Sequence, residues 1–129
     1  MSPLGYQNTK MQILIVDRSI RIIERLEEII SEADNITAIH RAISYEEAKK
    51  MFKENKYDAV LLDIDLPKND SLELLREIKK NRKETRVIIL FTHIDNYIRE
   101  QCKFPGADFF LDKYYDFEKI SGLLAVHHL

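Results

Sequence analysis

The sequence predicts an α/β domain built on a doubly wound, five-stranded parallel sheet of order 2-1-3-4-5. Three observations lead there. Short apolar runs alternate five times with amphipathic stretches. Three of those runs are apolar throughout, as parallel strands covered on both faces are. The other two are more polar and belong at the sheet edges. Right-handed crossovers between parallel strands then favour this order.

The first ten residues, MSPLGYQNTK, read as a flexible arm, and 11–129 as the domain. MQILIV (11–16) is the first strand. Ser19 supplies an N-cap, and Ile22, Ile23, Leu26, Ile29, Ile30 and Ala33 recur at helical spacing after it. NITAIHRAI (35–43) is the second strand. Ser44 and Glu47 have the spacing of a capping box, with Ala48, Met51 and Phe52 as the apolar stripe of the second helix. AVLLDI (59–64) is the third strand, and Leu72, Leu75 and Ile78 mark a helix opening at Asn69 or Asp70. VIILF (87–91) is the fourth strand, followed by a helix carrying Ile94, Tyr97, Ile98 and Cys102. ADFFLD (107–112) is the fifth. The last helix starts near Asp116 and carries Phe117, Ile120, Leu123 and Leu124. Pro67 and the pair Pro105-Gly106 punctuate loops.

Composition narrows the function classes. A chain of 129 residues suits one domain. Its net charge of −2, with Lys and Arg scattered along it, lacks the electrostatic footprint of a nucleic-acid binder. No apolar run reaches the roughly 20 residues that span a bilayer, and the N-terminus lacks a secretory apolar core. No nucleic acid and no membrane are therefore expected as partners, and the expected location is cytoplasmic. The lone Cys102 sits at an apolar-periodic position and reads as a core thiol.

The chemistry lies where apolar runs end in charge. In such sheets ligands bind beyond the carboxyl ends of the strands, where the strand order reverses. Strands 1 and 3 flank that point, and Asp17 and Asp63 terminate them. With Asp65 two residues on, these aspartates offer the hard oxygen ligands that Mg²⁺ prefers. The fourth strand ends in Thr92 and the fifth in Lys113, a hydroxyl and an ammonium suited to a phosphoryl group. One aspartate then reads as a nucleophile that forms an acyl phosphate while metal, Thr92 and Lys113 balance the developing charge. The plainer readings are a polar strand end capping the first helix for Asp17, an ordinary strand terminus for Asp63 and Thr92, and a solvated lysine for Lys113. His127 and His128 read as tail, and His40 and His93 have no partner at ligand spacing.

The ordered segments ILIVD, DAVLLDIDLP, VIILFT and GADFFLDK resemble the response-regulator receiver domain of two-component signalling, the CheY-like, flavodoxin-like (βα)5 family, over 11–126. The resemblance implies that Asp63 takes a phosphoryl group from a histidine kinase or phosphotransfer protein. It implies that Asp65 gives its backbone carbonyl to the metal, that Thr92 follows the phosphate, that Phe110 is the switch aromatic and that Lys113 pairs with the phosphate. A signalling role follows in place of turnover of a small substrate: a change in the face of helix 4, strand 5 and helix 5 that meets a downstream protein target or a second copy in a homodimer. GADFFLDK and DFEKI further resemble receivers that stand alone.

Four positions depart from the family pattern. Arg18 occupies the place of a second acid, usually the direct metal ligand, so the charges of Asp17, Asp63, Arg18 and Lys113 sum to zero. Mg²⁺ is then expected to be held weakly or not at all, whether Arg18 points to solvent or pairs with Asp63. Tyr114 follows Lys113 where the family carries a cis-proline. Ser71 replaces a glycine, and His93 stands where a small residue is common and would narrow access to Asp63. Two alternatives stay open: a degenerate receiver that binds a partner without phosphorylation, and a haloacid-dehalogenase-type phosphohydrolase suggested by DID. Pro67 and the short chain argue against the second.

Overall fold

The computed structural model describes residues 10–103 and 105–125, so the arm at 1–9, Phe104, His127 and His128 lie outside the described residues. The chain runs β1 (Met11–Val16), α1 (Ile20–Ile30), β2 (Ile36–Ala42), α2 (Tyr45–Glu54), β3 (Ala59–Asp63), α3 (Asp70–Asn81), β4 (Arg86–Phe91), α4 (Asn96–Lys103), β5 (Phe109–Asp112) and α5 (Ile120–Ala125). Single 3-10 turns at Pro67–Asn69 and Phe117–Lys119 lead into α3 and α5. The sheet order is β2-β1-β3-β4-β5 and every pairing is parallel, as the sequence predicts.

Alternation along each strand divides the interior in two. Leu14, Val16, Val60, Leu62, Val87 and Ile89 face one way and pack on Ala48, Phe52, Leu74, Leu75, Ile78 and Cys102, from α2, α3 and α4. Ile13, Ile15, Ala59, Leu61, Ile88 and Leu90 face the other and pack on Ile23, Leu26 and Ile30 of α1 and on Phe117, Ile120 and Leu124. The central strands read as unbroken apolar runs because helices cover both faces. Cys102 is buried as expected, and burial pushes its thiol pKa up.

Several local expectations hold. Ser19 Oγ accepts from the Ile22 N–H at 3.3 Å. Ser44 Oγ accepts from Glu47 N–H at 3.2 Å, but the Glu47 carboxylate reaches one residue further back than a capping box requires, to Ile43 N–H at 2.8 Å.

Others need correction. Ala33 lies past the end of α1, and Ile94 precedes α4. Tyr97 is 67% exposed. An eight-residue helix buries only a narrow stripe, here Ile98 and Cys102 four apart, and Tyr97 is turned about 100° from Ile98. The positive φ that a glycine at 71 would suggest falls instead on Lys68 (59°) and Asn69 (61°). Ser71 is buried within α3, where its Oγ donates to the Asp63 carbonyl at 2.6 Å and accepts from Leu66 N–H at 3.2 Å. It thereby ties the start of α3 to the end of β3.

Replacing Ser71 by Ala orphans a buried N–H and a buried carbonyl. The expected cost is about 1–3 kcal/mol, read as a lower urea midpoint at unchanged slope.

Candidate functional site

Register brings the two aspartates level. β1 pairs with β3 through Val16 and Leu62, so the next residues, Asp17 and Asp63, leave the sheet side by side. Both continue the alternation of the face covered by α1 and α5. So does Lys113, two residues beyond Leu111 of that core. Three charged side chains from three strands are thus aimed at one pocket by parity alone.

The pocket is closed. Asp17 is 1% exposed, Asp63 2% and Lys113 7%. Lys113 Nζ lies 2.7 Å from Asp17 Oδ2 and 3.0 Å from Asp63 Oδ1, bridging the two carboxylates. Asp17 Oδ2 has no hydrogen-bond partner beyond this ion-pair contact among the described residues. Burial pushes the Asp17 carboxyl above the usual carboxylate range. The Lys113 ammonium and the Ser19 N–H pull the other way and are outweighed, while the Asp63 charge adds to the rise. Burial also opposes the Lys113 charge, but two carboxylates more than offset it, and the lysine pKa is raised.

Each aspartate is held by its own loop. Asp17 Oδ1 accepts the N–H of Ser19 at 2.8 Å, and Asp63 Oδ1 accepts the N–H of Asp65 at 3.0 Å, the same two-residue Asx turn at both strand ends. Both contacts to Asp63 fall on Oδ1, and no hydrogen bond reaches Oδ2 among the described residues.

A third Asx turn, which sequence reasoning missed, carries the lysine. Asp112 Oδ1 accepts the N–H groups of Tyr114 (2.7 Å) and Tyr115 (3.2 Å). Asp116 closes the brace: its Oδ2 accepts Asp112 N–H at 2.9 Å and its N–H donates to the Asp112 carbonyl at 3.0 Å. The Lys113 N–H donates to the Phe91 carbonyl at 2.8 Å. No described peptide bond is cis. The loop after Lys113 is therefore set by two carboxylates where the family uses proline. A sequence signal existed, an acid at a strand end with a second acid four residues on, but acids in loops are too common for it to stand out.

The remaining expected residues take these places. Arg18 is exposed and forms no ion pair among the described residues, so of the two orientations the sequence allowed, the structure has the one toward solvent. The buried charge is accordingly −1, with Arg18 outside it. The Asp65 side chain is exposed, and no group of three carboxylate, His or Cys side chains that could hold a metal occurs among the described residues. Asp65 can contribute only through its backbone. Thr92 lies half-buried one residue past β4, with no hydrogen bond to Asp63 among the described residues. His93 is exposed. Phe110 is half-buried against the α2–α4 core and Phe109 against the opposite one. Helices cover both faces of β5, and the exposed aromatics near the site are Tyr114 and Tyr115.

Comparison with known proteins gives a consistent result. The family model described as response regulator receiver domain matches residues 13–125. Response regulator UvrY of Escherichia coli (strain K12) is 26% identical over 103 residues, 80% of this chain and 47% of that protein. A two-component response regulator from Clostridium difficile superposes with a TM-score of 0.80 at 23% identity, covering 89% of this chain and 93% of the other. The BeF3-activated DrrB receiver domain gives 0.75 at 24%, covering 90% and 95%. At these identities the two solved structures bear on the fold. The chain spans about half, or less, of the length of the first curated relatives it matches.

Two stability effects of opposite sign are expected. Lys113→Met leaves two buried carboxylates unpaired and costs about 3–5 kcal/mol. Asp17→Asn keeps the acceptor for Ser19 and removes a charge that burial disfavours, so Tm at pH 7 is expected to rise. Because the folded Asp17 pKa lies above its unfolded value, Asp17 ionisation weakens the fold as pH rises through that window. The advantage of D17N therefore vanishes at acid pH and grows toward neutrality, which thermal melts across pH will show.

Proposed function

The chain belongs to the response regulator receiver domain family, and from that premise we propose that Asp63 accepts a phosphoryl group from a histidine kinase or phosphotransfer protein. The observation that carries this reading is the Lys113 ammonium set between two buried carboxylates, 2.7 Å from Asp17 and 3.0 Å from Asp63. Asp63 Oδ2, free of hydrogen bonds among the described residues, is the attacking oxygen. It forms the new O–P bond as the P–N bond to the donor imidazole breaks, and the donor nitrogen keeps the electron pair and takes up a proton. Oδ1 stays anchored by the Asp65 N–H, which fixes the direction of attack. Lys113 offsets charge on the phosphoryl oxygens, and Thr92 supplies a hydroxyl at the rim.

Receiver domains generally bind Mg²⁺ at the phosphorylation site. The donor set here fits that ion, which takes one or two carboxylates and completes its shell with water and phosphate oxygens. Asp17 and Asp63 would hold it with the Asp65 carbonyl, and it would neutralise phosphoryl charge. The fit is to a weakly held ion: the buried charge of −1 is one short of what three acids and a lysine provide. Phosphorylation then acts through Phe110 and the α4–β5–α5 face on a downstream protein or a second copy of the chain.

A second reading, partner binding without phosphorylation, is favoured by one observation. Arg18 presents a cation to solvent where the family keeps a metal-binding acid.

Incubation with Mg²⁺ and a small acyl phosphate donor, followed by intact mass measurement, separates the two. A gain of one phosphoryl group that Asp63→Asn abolishes is expected; no gain, together with a metal-independent partner complex, supports the second. Arg18→Asp is expected to tighten Mg²⁺ about tenfold or more, measured by titration calorimetry.

A further inference from the structure

Arg99, in the middle of α4, has no ion pair among the described residues. Its guanidinium lies instead over two aromatic rings, 4.6 Å from the centroid of Phe110 and 5.7 Å from that of Phe91. Both distances fall within the range of cation–π attraction. All three side chains are half-buried, so water competes less for the cation than at an open surface.

The two rings are significant for where they sit. Phe91 immediately precedes Thr92 and gives its carbonyl to the Lys113 N–H. Phe110 lies three residues before Lys113, across the sheet from the charged pocket. A single cation on α4 therefore grips both strand ends that feed the site. In this same arrangement Lys113 is paired directly to both aspartates, the contacts that a phosphoryl group on Asp63 would disturb.

We propose that Arg99 is a latch: its guanidinium holds Phe110 and Phe91 together under α4 in the unphosphorylated arrangement, and must release Phe110 for α4 to respond. This rests on the reading of Asp63 as phosphoryl acceptor and names a regulator of that same site. A contact made in one arrangement and lost in the other biases the equilibrium toward the first by its own strength. For a half-buried cation–π pair that bias is about two- to fivefold per ring. By linkage, removing it raises the apparent affinity for anything that binds the switched arrangement by the same factor.

The test uses beryllofluoride with Mg²⁺ as the acyl-phosphate mimic and compares wild type with R99M and R99K, all on the full chain. The latch requires R99M to bind the mimic about two- to fivefold more tightly than wild type. R99K, which keeps the charge but not the planar cation, falls between them. It also requires faster amide exchange across α4 in R99M before any mimic is added, with the aromatic resonances of Phe110 shifted toward their mimic-bound positions. Equal affinity and unchanged α4 exchange, with wild type binding normally, overturn the latch and leave the acceptor reading standing. Wild type that takes up no beryllofluoride overturns the acceptor reading, and the latch as a regulator falls with it. Should R99M not fold, R99K weakens the hold on the Phe110 ring while keeping the charge and most of the side chain. The latch then requires a smaller gain in the same direction, and no gain overturns it.

Discussion

One ammonium between two buried carboxylates sets the terms for this domain. Asp17 and Asp63 are almost wholly removed from water, and at close range inside a protein their repulsion is poorly screened. Lys113 makes the pair tolerable, leaving the pocket one negative charge in excess. Burial raises the Asp17 pKa, and the neighbouring Asp63 charge adds to the rise. The excess also gives the site its chemistry. The phosphoryl group proposed for Asp63 would replace one negative charge by about two, so the pocket would then gain affinity for cations. With Arg18 turned outward, the lysine is the only cation among the described site residues that meets this demand at contact distance.

Side chains, and not glycines or prolines, hold the loops around that ammonium. With three glycines and three prolines in the whole chain, sharp strand exits must be set some other way. At three strand ends an aspartate Oδ1 accepts the N–H two residues on. Two of these aspartates also line the charged pocket: each has Oδ1 fixed by its loop, while Asp17 Oδ2 pairs with Lys113 and Asp63 Oδ2 takes no hydrogen bond among the described residues. The third, Asp112, is purely a brace, and with Asp116 it fixes the loop that carries Lys113. At the β3–α3 junction two consecutive residues adopt positive φ, a cost borne close to Asp63 while Ser71 ties the loop down behind them.

Much of this was legible beforehand, for specific reasons. Unbroken apolar runs mark strands covered on both faces, so MQILIV, AVLLDI and VIILF located the sheet centre, and its order put Asp17 beside Asp63. Parity then carried Lys113 to the same side. The features that escaped depend on side-chain direction or on partners distant in sequence. Spacing does not say whether Arg18 turns to solvent, nor that the Tyr97 ring leaves a stripe occupied by Ile98 and Cys102. The Asp112–Asp116 brace is invisible until backbone N–H groups converge on a carboxylate. The substitution at 71 was legible as a departure, but its consequence was not: a hydroxyl there ties β3 to α3, while the positive φ angles fall two and three residues upstream, on Asn69 and Lys68.

The two faces of the sheet divide the labour, and that division constrains how a signal can leave the site. Asp17, Asp63 and Lys113 share the parity of the α1–α5 side, and Thr92 holds the corresponding position after β4. Phe91 and Phe110, alternating with these residues, lie on the side of α2, α3 and α4. A charge change in the pocket cannot reach α4 through side chains on its own face. It must cross at the strand ends, where neighbouring residues of one strand point to opposite sides. The Lys113 N–H bonded to the Phe91 carbonyl ties two such crossings together, so displacement of Lys113 or Thr92 is felt at both rings at once. Arg99 lies over both rings on the far side. The shortest mechanical route from Asp63 to a surface helix therefore runs through backbone at β4 and β5 and ends on a single guanidinium.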